Sequence, residues 1–480
     1  MQGHRVLLLE KERFPRYQIG ESLLPSTIHG ICVLLGVRDE LDRAGFMRKR
    51  GGTFRWGSTP EPWTFAFALS QLMEGPTSHA YQVERSKFDQ ILLDNAARNG
   101  VDVRQEHTVT DVREEGDRVT GVSYADPEGY VQTATARFVG AAAGNTSHLY
   151  RKLPGTRDFS PFFRNVALFC YFEGGKRLAP PDQGNILCAA FDDGWFWYIP
   201  LTQDLTSVGA VIARDKAHEI KRKGHEVAMR DFIAACPMIA DYLADASRVT
   251  EGQYGQFRVR KDFSYCNSAF WRPGMFAVGD AACFVDPVFS SGVHLATYSA
   301  LLAARSVNSC LRDGLDESTS FAEFERRYRR EYAVFYRFLT AFYDMNKDES
   351  SYFWSARTVT GSTEPNMEAF IRLVGGVSTS GEPLFGDGEE FRRTASSISG
   401  GLQAVASAEV ERPGSGSTVF GTSEDARSLW QSSEEVRVQA RGPRYARPTR
   451  RSTSGLSASE DGFHWCVPRT DREADDLLLQ

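Results

Sequence analysis

The sequence has 480 residues, of which 41% are hydrophobic, and a formal net charge of −6. A chain of this length can bury a sizeable core in one large or two medium domains, and its acidic balance argues against a general nucleic-acid binder. Its eight cysteines show neither paired metal-ligand spacing nor a short disulfide framework. With no charged-then-apolar leader and no apolar run of membrane-spanning length, these features predict a cytoplasmic protein with reduced thiols.

The chain begins with a strand-like segment. Residues 5–10, Arg-Val-Leu-Leu-Leu-Glu, form a near-continuous apolar run that ends in a carboxylate. In a dinucleotide-binding fold this run is the second strand, and its terminal acid, Glu10, binds the adenosine ribose. The preceding strand, Gly-x-Gly-x-x-Gly turn and helix would need roughly 30 more residues. We therefore expect that the first βα unit is missing, either because the start codon is assigned too late or because this is a damaged copy.

Two segments before residue 57 combine glycine, charged and aromatic residues. Residues 20–25, Gly-Glu-Ser-Leu-Leu-Pro, include Ser22, a candidate N-cap for a short helix. Residues 49–57, Lys-Arg-Gly-Gly-Thr-Phe-Arg-Trp-Gly, predict a loop that enters a strand. Lys49 belongs to a basic cluster, and most such clusters are solvated surface. Desolvation by neighbouring aromatic rings would instead lower its pKa and favour the free amine.

The middle of the chain alternates between helix and strand signals. Apolar residues at helical spacing follow Arg85, with Ser86 as a candidate N-cap. Strand-like runs then appear at Val166–Phe172, Gly184–Phe191, Trp195–Leu201 and Ser207–Arg214 and predict an antiparallel sheet. Alternation along the third run places Trp195, Trp197 and Ile199 on one face. Taken alone, this motif fits two core tryptophans equally well.

Residues 276–296 predict a strand, a turn, a loop and then a helix. Phe276-Ala-Val is a short apolar strand, which Gly279 and Asp280 end. A carboxylate at this place can hold a ribose or ribityl hydroxyl. Ser-Ser-Gly at 290–292 opens a helix from about Val293 to Leu311. Its unpaired first amides carry the positive end of the helix dipole, which can face a reduced flavin or a small anion such as chloride.

The C-terminal third contains helices and then a compositional change. Helical spacing covers residues 321–330 and 331–345, and an apolar face of the second stretch is expected to pack on the core. A basic run, Arg326 to Arg330, offers an alternative surface for an acidic carrier protein. Beyond about Glu390 the composition shifts to Ser, Gly, Arg and Pro, which predicts a disordered or poorly packed tail.

Three of these motifs, in this order, resemble the flavin-dependent halogenases, in particular the phenol- and pyrrole-type branch of the FAD-dependent aromatic hydroxylase superfamily. They are Lys49 ahead of Gly-x-x-Phe-x-Trp, Trp-x-Trp-x-Ile-Pro at 195–200, and Gly-Asp-Ala-Ala with Asp-Pro-Val-Phe-Ser-Ser-Gly-Val-His-Leu-Ala at 279–296. The resemblance implies an α/β fold of the glutathione-reductase type, with an inserted antiparallel sheet and C-terminal helices. It divides the chain into an FAD-binding domain (1–165 and 255–311), a substrate sheet (166–254), a helical region (312–389) and a tail (390–480).

The resemblance also implies roles for individual residues. Lys49 is the expected catalytic residue. The amides of Ser291 and Gly292 are expected to bind halide, and the side chains of Trp195, Trp197 and Ile199 to form a partition wall between flavin and substrate. No metal is expected. The positions expected to contact FAD are Glu10, Ile19, Glu21, Ser22, Arg85, Asp280, Gly292 and Val293.

The implied reaction is the chlorination of an electron-rich aromatic compound in natural-product, for example antibiotic, biosynthesis. A separate flavin reductase supplies FADH2, oxygen gives a flavin hydroperoxide, and chloride converts it to hypochlorous acid that passes to Lys49. Phe289 stands where tryptophan halogenases carry a glutamate, so we expect a phenol, free or tethered to a carrier protein, rather than free tryptophan. Ala141 and Ala143 replace an acid and a serine of the family's adenine-side segment. An FAD-dependent aromatic hydroxylase and an inactive relic remain as alternatives.

Overall fold

A computed structural model describes residues 2–56, 61–69, 78–261, 263–344, 375, 417–418, 421–422, 455–459 and 461–467. The helices are α1 (Cys32–Leu34), which continues a π-helical turn (Thr27–Ile31), α2 (Arg38–Arg43), α3 (Arg85–Arg98), α4 (Ala217–Lys223), α5 (His225–Ala235), α6 (Pro237–Tyr242), α7 (Ser291–Arg312) and α8 (Glu317–Asp344). Short 3-10 turns lie at Phe67–Leu69, Leu149–Lys152, Arg214–Lys216, Gly252–Tyr254 and Gly279–Ala281.

The strands are β1 (Leu7–Leu9), β2 (Met47–Lys49), β3 (Gly51–Arg55), β4 (Trp63–Ala66), β5 (Ala80–Gln82), β6 (Asp102–Arg104), β7 (Thr108–Glu115), β8 (Arg118–Ala125), β9 (Val131–Thr135), β10 (Val139–Ala141), β11 (Arg157–Phe159), β12 (Asn165–Glu173), β13 (Ile186–Phe191), β14 (Gly194–Pro200), β15 (Thr206–Ala213), β16 (Ser247–Arg248), β17 (Arg258–Lys261), β18 (Tyr265–Asn267), β19 (Trp271–Arg272), β20 (Met275–Ala277), β21 (Cys283–Phe284), β22 (Ser417–Thr418), β23 (Gly421–Thr422), β24 (Ser457–Ala458) and β25 (Trp465–Cys466).

Two parallel strand pairs carry the part of the fold that resembles a dinucleotide-binding protein. The apolar run at the start of the chain forms β1, which pairs in parallel with β6, and β10 pairs in parallel with β20. Parallel strands need a crossover connection, and α3 lies in the sequence between β1 and β6. The predicted α/β fold class is confirmed.

A large, mostly antiparallel sheet forms the second layer. Its strand order is β16-β12-β15-β14-β13-β3-β4, with β17 also paired to β12, and only the β3–β13 pair is parallel. The four strands predicted between residues 166 and 214 lie at its centre. Strands β3 and β4, from the segment after Lys49, extend the sheet beyond the region assigned to it from the sequence.

The two faces of this sheet pack on different partners. Phe196 and Tyr198 of β14 face a small core that is closed by Met229 and Phe232 of α5. Helices α4 to α6 between residues 217 and 242 were not predicted, because each is short and offers few apolar positions. The alternate residues of β14 face the main core, as strand alternation predicts.

The two long helices differ in their bounds from the sequence prediction. Helix α7 begins at Ser291, two residues before the predicted start. The stretches 321–330 and 331–345 are parts of one helix, α8, because no Gly or Pro separates them. Met345 lies outside the described residues. Among the described helices, none combines the length and the apolar composition that a membrane crossing requires.

Part of the predicted tail is packed against these helices. Residues 455–467 include the antiparallel pair β24–β25, and the side chain of Trp465 is buried. Its indole Nε1 donates to Ser306 Oγ at 2.9 Å, and its backbone N donates to Ser309 Oγ at 2.8 Å. For this segment the expectation of poor packing is wrong, because an average over composition hides one buried tryptophan. The two described pairs at 417–418 and 421–422 also form a short antiparallel ladder.

Candidate active site

Lys49 ends β2 and is almost completely buried, with 3% of its surface exposed. Its Nζ donates to Ser22 Oγ at 2.9 Å and to the backbone oxygen of Leu23 at 3.1 Å. Burial lowers the pKa of the amine to about 7, a shift that Cys188 partly opposes. The neutral amine is therefore well populated near pH 7, and the alternative of a solvated surface lysine is wrong for this position.

The segment that accepts the Lys49 hydrogen bonds lies between α3 and α7. Arg85 Nη1 donates to the backbone oxygens of Ile19 at 2.6 Å and Gly20 at 3.3 Å. Gly20 has a φ of +103°, and a Cβ on it would lie 2.8 Å from Arg85 Nη1 and 3.5 Å from Val293 Cγ2. The backbone of Gly20 therefore passes close to both the Arg85 guanidinium and the first turn of α7.

Two predicted helix caps in this region are not caps. Ser22 forms an isolated bridge with Gln82, and its hydroxyl accepts from Lys49. The first helical residue after it is Pro25, three positions further on. Ser86 lies inside α3, whose N-cap is Glu84. Extended backbone and an occupied hydroxyl explain why Ser22 does not cap a helix.

Two carboxylates lie near the charge of Arg85. Glu21 is buried, and its Oε1 accepts from the hydroxyl of Tyr171 at 2.7 Å. Burial raises the pKa of Glu21 to about 7, and burial likewise raises the pKa of Asp280 to about 6. The Arg85 charge opposes both shifts. The structure therefore brings Glu21, Arg85 and Asp280 into one electrostatic neighbourhood.

Among the residues that the structure describes, Glu10 makes no contact with Glu21, Arg85 or Asp280. It follows β1, its Oε1 accepts from the backbone N of Glu12 at 2.9 Å, and its own backbone N donates to Arg104. This position at the carboxyl end of a parallel strand is the one expected for a ribose-binding acid.

The first turn of α7 has the features of a binding site for an anion or a polar ligand edge. Ser290 before it has a φ of +60°, in the left-handed region. Among the residues that the structure describes, the buried Oγ of Ser291 has no hydrogen-bond partner. A Cβ on Gly292 would lie 2.8 Å from Phe284 Cε2. Unpaired amides, an unpartnered hydroxyl and the packed glycine fit the flavin and halide expected here.

The side chains of Trp195, Trp197 and Ile199 lie on the main-core face of β14 and are buried. The two indole centroids are 6.3 Å apart. Trp195 Nε1 donates to Tyr343 Oη at 2.8 Å, and Trp197 Nε1 donates to Ser207 Oγ at 3.2 Å. Both indoles are therefore fixed by hydrogen bonds as well as by packing.

Two neighbours of Trp197 define its position. On the adjacent strand β15, a Cβ on Gly209 would lie only 2.2 Å from Trp197 Cζ2, so the ring rests against bare backbone. On the other side, Cys188 of β13 stands opposite Trp197 in the strand register. The same Cys188 acts electrostatically on Lys49. The amine and the second indole therefore share a neighbour.

Sequence reasoning did not assign a function to Asp286 or Tyr343. Asp286 is fully buried, and its Oδ1 accepts from Tyr343 Oη at 2.9 Å and from the backbone N of Val288 at 3.1 Å. Burial raises the pKa of Asp286 to about 7. For Asp286, the sequence signal was a carboxylate inside an otherwise apolar motif. For Tyr343, which lies on an apolar helix face, there was no sequence signal of a function.

His294 also went without a role, although it belongs to the quoted motif. Its Nδ1 lies 2.9 Å from Ser26 Oγ, and its Nε2 lies 2.8 Å from Glu331 Oε1. All three side chains are buried. This network attaches the first turn of α7 both to the segment after Ser22 and to α8.

The aromatic and basic residues of α8 face different surroundings. Phe289 packs against Phe54 and Phe342, with ring centroids 5.6 and 4.6 Å away. In the basic run, Arg327 and Arg329 pair with glutamates one turn earlier on the same helix. These pairs neutralise part of the run, and docking of a carrier protein on it stays a prediction.

Comparisons with known proteins point to one enzyme family. The tryptophan halogenase family model matches residues 1–77 and 69–399. A tryptophan 2-halogenase of Chondromyces crocatus is 32% identical over 391 residues, covering 79% of this chain and 73% of that protein. The flavin-dependent halogenase gsfI of Penicillium aethiopicum is 30% identical over 359 residues, covering 70% of this chain and 65% of that protein.

The matches to solved structures of similar proteins cover nearly the whole chain. The myxobacterial chondrochloren halogenase CndH is 51% identical, with a TM-score of 0.74, and the match covers 97% of this chain and 94% of that one. The flavin-dependent halogenase CmlS is 30% identical, with a TM-score of 0.73, and the match covers 97% and 80%.

The fold and the matches define a flavoprotein enzyme. The chain belongs to the tryptophan halogenase family, that is, to the flavin-dependent halogenases. Enzymes of this family use FAD together with chloride and O2, and they generally need a separate flavin reductase.

Proposed function

We propose that this protein catalyses the FADH2-dependent chlorination of an electron-rich aromatic compound, with Lys49 as the catalytic residue. The observation that carries the proposal is the buried Lys49 amine, held by Ser22 and Leu23 and lowered in pKa to about 7. A lysine in this state is available as a neutral amine at physiological pH, whereas an exposed one is not.

Bound reduced flavin, with O2, supplies the oxidising power that converts chloride into hypochlorous acid. Lys49 then either donates a hydrogen bond to hypochlorous acid or is chlorinated by it. In the second case an N–Cl bond replaces an N–H bond, and the released proton leaves with the hydroxide as water. Transfer of this chlorine to a ring carbon releases the ring proton, which returns to the amine nitrogen.

The proposed contacts with flavin and halide use the two segments that meet near Val293. Ile19, Glu21 and Ser22 would line one side of the flavin, Arg85 and Asp280 the ribityl-phosphate arm, and Gly292 and Val293 the other side, with Glu10 on the adenosine ribose. Halide would bind at the Ser291 and Gly292 amides, where the helix dipole favours an anion.

The partition wall would separate the place where the oxidant is made from the place where it is used. The buried positions of Trp195, Trp197 and Ile199 on one strand face support this role. A wall of this kind lets small species pass while it keeps an organic substrate away from the flavin.

For the substrate we propose a phenol of natural-product biosynthesis, as in the phenol- and pyrrole-type branch. Support comes from Phe289, which stands in an aromatic cluster where tryptophan halogenases carry a glutamate. The substrate would be free or tethered to a carrier protein; the paired arginines of α8 give the tethered form no added support.

The test combines the purified protein with a flavin reductase, NADH and chloride, against free and carrier-bound phenols. A product mass with one chlorine in place of hydrogen is expected. Lys49→Ala should lower chlorination at least about 100-fold while flavin oxidation continues, and Arg48→Ala, on the exposed side of the same strand, should leave both unchanged. Chlorination by Lys49→Ala at the parent rate would contradict the role of the lysine. An oxygenated product without chlorine would identify a hydroxylase instead.

A further inference from the structure

Glu21 is the buried end of a chain of hydroxyl groups that leads towards the surface. Tyr171 Oη donates to Glu21 Oε1 at 2.7 Å, and Tyr17 Oη lies 2.7 Å from Tyr171 Oη. Tyr171 is fully buried, whereas Tyr17 is partly exposed. Two phenol hydroxyls thus lead from a partly exposed tyrosine to a carboxyl group in the interior.

The second carboxyl oxygen of Glu21 is available for a different partner. Among the residues that the structure describes, Glu21 Oε2 is buried and has no hydrogen-bond partner. In the chain, Glu21 stands between Gly20, which approaches Val293 of α7, and Ser22, which accepts from Lys49. This buried oxygen, in a carboxyl group that the Ser207 hydroxyl also approaches, belongs to the segment that joins the proposed flavin site to the proposed catalytic amine.

The groups around Glu21 allow it to exchange a proton near neutral pH. Burial raises its pKa to about 7; the hydroxyls of Ser207 and Tyr171 and the Arg85 charge act against this shift, and Glu84 adds to it. Burial also raises the pKa of both tyrosines, although the charges of Arg258 and Arg260 lower that of Tyr17. The phenols therefore stay neutral and can pass protons only by exchange along their hydrogen bonds.

The proposed reaction needs a proton in this place. Conversion of FADH2, O2, Cl⁻ and H⁺ into FAD, HOCl and H2O consumes one proton for each hypochlorous acid. The unproductive alternative, FADH2 and O2 to FAD and H2O2, consumes none. A buried site that makes hypochlorous acid must therefore receive one proton per turnover.

We propose that Glu21 donates the proton that chloride oxidation consumes, and that Tyr171 and Tyr17 return a proton to it from solvent. The inference rests on the proposed function. The O–H bond at Glu21 Oε2 breaks, and its proton becomes part of the water that is formed. The carboxylate then takes a proton at Oε1 from Tyr171, Tyr171 takes one from Tyr17, and Tyr17 takes one from water. A rotation of the carboxyl group brings the new proton to the position of Oε2 and completes the cycle.

The first experiment needs no flavin. The infrared C=O band of protonated carboxyl groups is measured as a function of pH in the flavin-free protein. The spectrum of Glu21→Gln is subtracted at each pH, so that the bands of Asp286 and Asp280 cancel. We expect a difference band that disappears with a midpoint near pH 7. A midpoint below about pH 5, close to that of an ordinary glutamate, would overturn the proposal.

The second experiment measures coupling, that is, chlorinated product and H2O2 formed per FADH2 oxidised. In Glu21→Gln we expect flavin oxidation to continue while chlorination per flavin falls at least about tenfold and H2O2 rises in its place. Tyr171→Phe and Tyr17→Phe should slow turnover and alter the solvent deuterium isotope effect. Tyr254→Phe is the matched control, since its ring centroid lies 4.5 Å from that of Tyr171 but its hydroxyl donates to Glu84.

The outcomes separate the two proposals. If the parent chlorinates and Glu21→Gln keeps its coupling, the proton-donor role is wrong and the proposed function stands. If the parent makes no chlorinated product but only H2O2, the proposed function fails and the role of Glu21 fails with it. The melting temperature and FAD affinity of each variant show whether it is folded. If Glu21→Gln does not fold, the two tyrosine variants decide, and unchanged turnover and isotope effect in both would overturn the relay.

Discussion

The indole of Trp195 donates its Nε1 proton to the hydroxyl of Tyr343, at a distance of 2.8 Å, and this hydroxyl donates in turn to Asp286. The three residues come from β14, from α8 and from the loop before α7. One phenol therefore connects the proposed partition wall with the loop that leads into the proposed halide site.

Tyr343→Phe removes this connection without removing the ring. Two buried hydrogen bonds are lost, so we expect the free energy of unfolding to fall by about 1–3 kcal/mol, measured by urea denaturation. Loss of wall position should also increase the fraction of H2O2 released. Tyr336→Phe is the control on the same helix, because its hydroxyl contacts Ser160 instead. Equal H2O2 release by both variants would argue against a role of Tyr343 in the wall.

Ser291→Ala tests the proposed halide site by separating stability from binding. The buried Oγ has no partner among the described residues, so its removal costs no protein hydrogen bond and should leave the melting temperature unchanged or slightly higher. The two amides remain in this variant, but the hydroxyl is a further donor for the halide, so the KM for chloride should nevertheless rise several-fold. A lower melting temperature with an unchanged KM would mean that the hydroxyl has a structural role only.

Lys49→Met tests burial of the amine through the pH dependence of stability. The folded pKa of about 7 lies below the usual 10.5, so between these values unfolding takes up a proton and the parent becomes more stable as pH rises. The gain in unfolding free energy of the Met variant over the parent should therefore be largest near pH 7 and shrink towards pH 10. Arg48→Met provides the comparison, because a guanidinium does not titrate in this range. A difference from the parent that does not vary with pH would show that the amine is solvated.

Trp465→Ala tests the packing of residues 455–467. Loss of the buried indole and its bond to Ser306 should lower the free energy of unfolding by about 3–5 kcal/mol. Substitution of the exposed Val467 by alanine should have little effect. A stability equal to that of the parent would show that this hairpin is not part of the cooperative core.

Local patterns in the sequence predicted much of the fold and some of the site. The alternation at 195–199 gave the correct strand face, whereas Lys49 was singled out by the family resemblance and not by its own position in a basic cluster. The features that the sequence did not predict depend on contacts between distant residues or are hidden when composition is averaged over a long segment. The Trp195–Tyr343 bond joins residues 148 positions apart, and no periodicity can show which hydroxyl an indole will meet.

The missed elements share a second cause. Helices α4 to α6 bury few large apolar side chains, among them Met229 and Phe232, so their periodic signal is weak. The segment around Trp465 has a composition typical of disorder, yet one tryptophan that is buried between two helices holds it in a packed conformation. The ion pairs of α8 show the same limit, because a run of arginines does not reveal the glutamates that neutralise it.

The orientation of the Trp197 ring depends on two strands, because the ring packs against the backbone of Gly209 on the neighbouring strand. A methyl group at 209 would lie 2.2 Å from Trp197 Cζ2, so the ring or the strand would have to move. If Trp197 is part of the proposed partition wall, laboratory evolution of that wall should select substitutions at position 209 as well as at the tryptophan itself, although glycine contributes no side chain there.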